Sequence, residues 1–217
     1  MGAPCVITYN CPHYSDERYN AQEGDAPMTD PLVLPPGQQI AARMRELRQT
    51  LGWSLDRTAQ ETGVSKAMLG QIERGESSPT VATLWKIATG FKVSFSSFLD
   101  GPMPDATTTL FRSAKRLRRQ PGEAGMLVAP LFPFDPTLGF ELFELTLLPG
   151  YERESEPHER GVSEHVVVLE GEMEVLIEGQ WHRLLRGEAV RFAADLPHGY
   201  RNLGEAAARF HNLIRYP

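Results

Sequence analysis

Apolar residues recur every three or four positions between residues 38 and 100, the spacing of one buried helix face. The pattern predicts five short helices, of which the first covers 38–51 and the last lies near 95–99. The inward positions predicted for the first and third helices are Ile40, Met44, Leu47, Leu51, Met68, Leu69 and Ile72. Five short helices in such a segment indicate a compact all-α domain.

Two of these helices are separated by a tight turn within residues 54–80. Gly63 suits the left-handed conformation that ends a helix, and Ser65 can cap the next one through its hydroxyl. The outward positions predicted for that next helix are Lys66, Ala67, Gly70 and Gln71. This layout is typical of a helix-turn-helix, which places its second helix in the DNA major groove.

Residues 38–100 resemble the Xre-type, lambda-repressor-like DNA-binding domains. The resemblance rests on A-x3-G-V-S from Ala59 to Ser65, and on Q-I-E-R-G, S-P-T and L-W-K-I-A after it. It implies that Lys66, Ala67 and Gln71 face base edges, where Lys suits guanine and Gln suits adenine. The other DNA-binding residues that it implies are Ser54, Ser65, Arg74, Ser77, Ser78 and Thr80. It also implies a structural ion pair between Arg48 and Glu73.

From Met126 onward the pattern changes to short apolar or alternating runs separated by turns. The predicted strands cover residues 140–148, 166–169, 173–177, 181–185, 189–192 and 209–214. Short strands at such regular spacing indicate a β-sandwich or a small barrel.

This second half resembles a cupin, a double-stranded β-helix barrel. The second cupin motif is matched by Gly187, Pro197, His198 and Asn202. In the first motif Glu164 and Gly171 keep the E-x6-G spacing, whereas Glu156 and His158 stand where cupins carry H-x-H. The fold expected for the whole chain is therefore an all-α five-helix domain followed by an all-β cupin barrel.

The cupin resemblance implies a metal site formed by His158, Glu164 and His198, because two imidazoles and a carboxylate suit Fe(II), Mn(II) or another divalent ion. Two alternatives stay open: a metal-free pocket that binds a small effector, and a barrel whose polar residues only satisfy one another. The residues predicted to line an effector pocket are His158, His165, Arg191, His198 and Tyr200, with Trp181 and His211 as further candidates.

Charge is distributed unevenly along the 217 residues, whose net charge is −6. Residues 37–100 carry +2 and 101–120 carry +4, whereas 1–36 carry −4 and 121–217 carry −8. This asymmetry is typical of a DNA-binding half joined to a half with another role. The basic segment, Arg112, Lys115, Arg116, Arg118 and Arg119, either contacts DNA or is a solvated linker.

The predicted organisation is a disordered N-terminal extension (1–36), a DNA-binding domain (37–100), a linker (101–125) and a cupin domain (126–217). The true start is either Met1 or Met28. Cys5 and Cys11, even with His13, match no zinc spacing and are predicted to be reduced and unpaired. No apolar run approaches the roughly 20 residues that span a bilayer, and no signal peptide is recognisable, which predicts a cytoplasmic protein.

A helix-turn-helix followed by a cupin resembles a family of bacterial transcription regulators, most closely the subgroup linked to sulfur utilisation. The resemblance implies a homodimer on a two-fold operator in double-stranded DNA, with a small effector sensed in the barrel. The alternative is a mononuclear-metal cupin oxidase related to hydroxypropylphosphonate epoxidase, with His158, Glu164 and His198 as the iron ligands. The polar, DNA-facing helix favours the regulator and predicts that the chain is not an enzyme.

Overall fold

The computed structural model describes residues 36–99, 109–119 and 125–217. The helices of the first part are α1 Pro36–Thr50, α2 Leu55–Thr62, α3 Lys66–Glu73, α4 Val81–Phe91 and a 3₁₀ helix Phe95–Phe98. We refer to residues 36–99 as the head. The predicted extension 1–36, including Met28 and the two cysteines, lies almost entirely outside the described residues.

Side-chain caps fix where the head helices begin. The hydroxyls of Ser54, Ser65 and Thr80 each accept a hydrogen bond from the backbone N–H three residues later, at 3.1, 3.3 and 3.2 Å. Gly63 ends α2 with a left-handed φ of 65°, a conformation that glycine adopts without steric cost. The predicted turn between α2 and α3 is confirmed.

The head core contains most of the predicted inward residues, with three corrections. Leu51 is 47% exposed and Met68 37% exposed, although both were predicted to face inward. Leu51 follows the end of α1, so the helical period no longer sets its direction, and Met68 lies at the edge of a face centred on the buried Leu69 and Ile72. Gly70 was predicted to face outward but is buried.

Nine described strands form two antiparallel sheets in the second part, which we call the barrel. The strands are β1 Met126–Asp135, β2 Phe140–Leu147, β3 Glu152–Ser155, β4 Ser163–Glu170, β5 Glu172–Ile177, β6 Gln180–Leu185, β7 Ala189–Ala193, β8 His198–Arg201 and β9 Ala208–Arg215. One sheet has the order β1-β2-β9-β4-β7 and the other β3-β8-β5-β6. The barrel core contains Phe143, Val166, Val175 and Phe210, all buried.

Part of the predicted linker packs on the barrel. A short helix, α5 Ala114–Leu117, precedes Arg119, whose backbone N–H and C=O both bond to Val128 of β1 at 2.8 Å. Arg118 forms an ion pair with Glu144 at 2.7 Å, and Arg112 donates to the carbonyl of Pro130 at 2.8 Å. Three of the five basic residues thus contact the barrel, while DNA contact by this segment stays a prediction.

The head and the barrel share a packed contact. The backbone N–H of Ser96 donates to the carboxylate of Glu141 at 3.2 Å, and the Ser96 hydroxyl accepts from the backbone N–H of Phe134 at 2.9 Å. The rings of Phe95 and Phe143 meet edge to face, with centroids 5.7 Å apart. In the described part of the chain, no helix has the length and apolar character needed to cross a membrane.

Candidate functional sites: the recognition helix and the barrel centre

The exposed face of α3 carries the three side chains predicted to meet DNA bases. Lys66, Ala67 and Gln71 are all exposed. Lys66 forms an ion pair with Asp56 of α2 at 2.8 Å, but both side chains are more than half exposed, so water screens the pair. The lysine therefore remains available to a base or a phosphate.

The residues predicted to lie near phosphates surround this face. Ser54 and Ser65 are exposed even though their hydroxyls cap helices, and Ser78 is exposed as well. Arg74 is exposed and paired with Glu76 at 2.7 Å. Ser77 and Thr80 are half-buried, and the Thr80 hydroxyl also contacts that of Thr83. Ser54, Ser65 and Thr80 therefore lie at the starts of α2, α3 and α4, and the others lie in the loop between α3 and α4.

A two-point ion pair fixes the end of α3 against α1. Arg48 Nε lies 2.6 Å from Glu73 Oε1, and its Nη2 lies 3.0 Å from Oε2. The Arg48 guanidinium also donates to the carbonyl of Trp53, and Arg45 donates to the carbonyl of Glu73. The hydrogen bond and charge of Glu73 raise the pKa of Arg48, although burial opposes this effect. The predicted structural role of this pair is confirmed.

Three predicted metal ligands converge at the centre of the barrel. His158 lies in the loop after β3, Glu164 on β4 and His198 on β8. His158 Nε2 is 2.8 Å and His198 Nε2 is 3.4 Å from Glu164 Oε1. The candidate ligand atoms all lie within 4.8 Å of one another. His158 therefore occupies the centre despite its altered spacing in the motif.

Neighbouring side chains orient these three groups. Tyr200 and Asn212 both donate to Glu164 Oε2, the latter at 2.7 Å, which leaves Oε1 turned toward the histidines. His198 Nδ1 lies 2.9 Å from the carbonyl of Leu196. If that nitrogen carries the proton, Nε2 presents a lone pair to the centre.

The charges at the centre favour an ionised carboxylate. Burial alone would raise the pKa of Glu164, but hydrogen bonds and charge from His158 and His198 lower it well below its usual range. Burial would lower the pKa of His198, yet Glu164 raises it. Burial, assisted by the adjacent carboxylate, raises the pKa of Tyr200 well above its ordinary value. Tyr200 therefore stays protonated and acts as a donor.

The donor set fits a divalent metal ion. Two imidazole nitrogens and a carboxylate oxygen are a common set for Fe(II), Mn(II) and related ions. The second carboxylate oxygen and the far nitrogen of His198 already have protein partners, as expected around metal ligands.

Part of the wall around the centre belongs to the head. A cavity of about 30 Å³ lies beside the three residues, and it has room for about two water molecules. The head side chains that line it are Val81, Trp85 and Phe95. The Trp85 ring lies 4.7 Å from the His158 ring and stacks on Phe95 at 4.5 Å.

Two residues predicted to line the effector pocket lie elsewhere. His165 and Arg191 face each other across β4 and β7 on the outer surface, whereas His158, His198 and Tyr200 line the cavity. Successive side chains of a strand point to opposite faces, so the inward Glu164 directs His165 outward. Trp181 and His211 do not line the cavity either; Trp181 packs under the guanidinium of Arg201 at 4.1 Å.

Sequence reasoning missed three residues at the centre: Trp85, Arg153 and Asn212. Asn212 was detectable, because β9 alternates and its apolar neighbours Phe210 and Ile214 face the core. Arg153 lies on the polar strand β3, which has no apolar pattern. Trp85 was recognised only as part of the helical signature.

Comparison with known proteins assigns both parts. Residues 44–98 match the helix-turn-helix family and residues 143–214 match the cupin domain family. The chain is 52% identical over 178 residues to the HTH-type transcriptional regulator SutR of Escherichia coli (strain K12), covering 82% of this chain and 95% of that protein. This chain belongs to the HTH-type transcriptional regulators that carry a cupin domain.

Two further relatives agree with this membership. PuuR of Escherichia coli (strain K12), also an HTH-type transcriptional regulator, is 27% identical over 177 residues, covering 81% of this chain and 92% of PuuR. The crystal structure of an HTH_3 family transcriptional regulator from Vibrio cholerae is 47% identical, with a TM-score of 0.70, covering 83% of this chain and 97% of that one. The expected family, the two-domain fold and the non-enzyme assignment are supported.

Proposed function

We propose that the chain is a sequence-specific DNA-binding regulator that binds a two-fold operator as a homodimer in the cytoplasm. The observation that carries the proposal is the exposed face of α3, where Lys66, Ala67 and Gln71 lie side by side on a firmly capped helix. Lys suits guanine and Gln suits adenine, whereas Ala67 offers only a methyl group. Two heads give more affinity than one because the second binding event becomes intramolecular.

The barrel is the effector domain of the proposed regulator. A small molecule bound there would change the arrangement of the heads only if its affinity differs between two arrangements. The contact of Trp85 with His158 supports this proposal, because it joins the barrel centre to a helix of the head. The similarity to SutR supports a role in sulfur utilisation.

Selection of genomic fragments by the purified full chain at physiological salt tests the proposal. We expect recovery of an inverted repeat upstream of a few transport or metabolic genes. The substitutions Lys66→Ala and Gln71→Ala should relax base preference, at about 1–3 kcal/mol for each good contact. Arg74→Ala should weaken binding on all sequences and reduce its salt dependence.

Gln180→Ala is the matched control, because this exposed glutamine lies on the barrel. It should bind operator and random DNA as the unsubstituted chain does. Equal losses on operator and random DNA for Gln71→Ala would remove Gln71 from the base-reading role. If the chain enriches no fragment, either alone or with the small-molecule fraction of a cell extract, the proposal that it is a regulator is contradicted.

We also propose that His158, Glu164 and His198 hold a divalent metal, which would supply a fixed positive charge for an effector. After loading with Fe(II), Mn(II) or Zn(II) and gel filtration, we expect one ion per chain. His198→Ala should lose the ion, whereas His182→Ala, which removes an exposed histidine of β6, should retain it. A metal-free chain under all three conditions would favour direct effector binding instead.

A further inference from the structure

Arg153 is a largely buried cation that forms no ion pair with a carboxylate of the described residues, although the charge of Glu164 acts on it. Its Nε is buried and makes no hydrogen bond, and within the described part of the chain it forms no ion pair with a carboxylate. Burial lowers the pKa of Arg153, whereas its hydrogen bond with Tyr151 and the negative charge of Glu164 act in the opposite direction. A buried guanidinium is costly unless an anion compensates it.

Arg153 lies where a surface groove meets the central cavity. The groove lies between α2, α4 and the end of β3, and its volume is about 390 Å³. It is thus more than ten times as large as the cavity. The residues that line both spaces are Trp85, Arg153, Ser155 and His158.

The charged groups around the groove leave room for an anion at Arg153. Exposed Lys86 adds a positive charge, and Glu61 is already paired with Arg57. Glu154 and Glu156 also line the groove, but both are exposed, so water and salt screen their charges. The apolar face of Trp85 is available to the carbon skeleton of a small molecule.

We propose that this junction is the effector site, and that it takes a small anion whose carboxylate or oxyanion group pairs with the guanidinium of Arg153. This inference rests on the proposed function, because it names the class of effector. The planar guanidinium forms two parallel hydrogen bonds with such a group. The remainder of the ligand lies along the groove.

The same geometry links occupancy to the head. The Trp85 ring lines both the groove and the central cavity, so a ligand group at this junction lies against it. Trp85 belongs to α4, which packs against α2 of the helix-turn-helix. An anion at Arg153 therefore shifts the position of the head only if its affinity depends on where Trp85 lies.

Isothermal titration and thermal unfolding of the full chain test the site. The probes are malonate, sulfate and phosphate at constant ionic strength, with neutral malonamide as the uncharged probe. We expect saturable binding of at least one anion, with a rise in Tm, and none of malonamide. Malonate alone would identify a carboxylate ligand, whereas sulfate or phosphate alone would identify an oxyanion.

Variants of Arg153 separate this role from a structural one. Arg153→Gln should weaken anion binding at least tenfold and leave Tm without anion unchanged or higher, because it removes an uncompensated buried charge. Arg153→Lys should bind the anion with intermediate affinity, because it keeps the positive charge but cannot form the two parallel hydrogen bonds of a guanidinium. Arg191→Gln, on the outer face of β7, is the matched control and should bind as the unsubstituted chain does.

Absence of saturable binding for all three anions, or equal affinity in Arg153→Gln, would overturn the site. If Arg153→Gln does not fold, the site would be overturned by an equal affinity for the anion in Arg153→Lys and in the unsubstituted chain. Operator binding is followed in the same samples by fluorescence anisotropy. Operator binding without anion binding would contradict only the anion site, whereas anion binding without operator binding would contradict only the regulator.

Discussion

Glu141 is a buried carboxylate at the contact of head and barrel. It accepts hydrogen bonds from the Ser96 backbone and from the Tyr216 hydroxyl. Burial raises the pKa of Glu141 above its ordinary value of 4.5, although these bonds and the charge of His158 act in the opposite direction. The folded chain thus holds this proton more tightly than the unfolded chain.

The substitution Glu141→Gln should remove a pH dependence of stability. A raised folded-state pKa gives stability that is fully present below about pH 4.5 and is lost as pH rises through the folded value. The variant does not lose this stability. Above pH 4.5 its free energy of unfolding should therefore rise relative to that of the unsubstituted chain, by at most about 1.4 kcal/mol per pH unit. Urea unfolding between pH 4 and 8 measures the difference.

Glu144→Gln is the control for the loss of one negative charge, because Glu144 is on the same strand and pairs with Arg118. Parallel pH profiles for Glu141→Gln and the unsubstituted chain would contradict the buried-proton account. If Glu141→Gln is less stable at all pH values, the Glu141 carboxylate is instead needed as a hydrogen-bond acceptor, a role that the amide cannot fill.

At the barrel centre a motif named three residues, and strand alternation could have named Asn212 as a fourth. His158, Glu164 and His198 were chosen from cupin spacing, and the structure brings them together. His165 does not line the central cavity, and residue type alone does not state which face of a strand a residue occupies. That face depends on register, here the pairing of Glu164 with Phe192 and Ile214.

At the scale of elements, the sequence analysis did not predict the strands β1, β3 and β8. β1 is mostly apolar but contains Pro130 and Pro133, and proline weakens a strand prediction. The other two strands are polar or contain glycine. β3 reads Glu-Arg-Glu-Ser and β8 reads His-Gly-Tyr-Arg, so neither has an apolar run. Gly199 in β8 has a local reason: a Cβ there would lie 2.6 Å from the carbonyl oxygen of Arg153. A close approach between two strands depends on the tertiary structure, so the sequence of β8 alone does not predict it. The helices, by contrast, followed from caps and periodicity.

The crossing of α2 and α4 depends on Gly90. A Cβ there would lie 2.7 Å from the Cα of Thr62 and 2.8 Å from the carbonyl oxygen of Glu61, both backbone atoms that cannot rotate away. Gly90→Ala should therefore separate the helices and destabilise the chain by about 1–3 kcal/mol. Thermal or urea unfolding measures the change.

Gly70→Ala is the matched control in α3. Its Cβ would meet the end of the flexible Arg74 side chain at 3.1 Å, and Ala favours helix over Gly by about 0.5–1 kcal/mol. The control should be neutral or stabilising. A neutral Gly90→Ala would show that α4 can shift without cost, and the crossing of α2 and α4 would then not depend on Gly90.

At the scale of the whole molecule, head and barrel are joined through a shared aromatic cluster. Phe95 is fully buried between Trp85 of the head and Phe143 of the barrel. Ser96 and Glu141 add a polar contact beside it. Because the cavity wall and this cluster use the same residues, the proposed effector site and the contact between head and barrel are physically connected.

The substitution Phe95→Ala should therefore change how the chain unfolds. Loss of this ring costs about 3–5 kcal/mol and falls on the contact between head and barrel. We expect one calorimetric transition for the unsubstituted chain and two for the variant, because the domains no longer unfold together. Phe210→Ala removes an equally buried ring inside the barrel and is the control. It should lower Tm and leave a single transition. One transition in both variants would mean that coupling between the domains does not depend on this cluster, and the route from Arg153 through Trp85 to the DNA-binding helices would lose its physical basis.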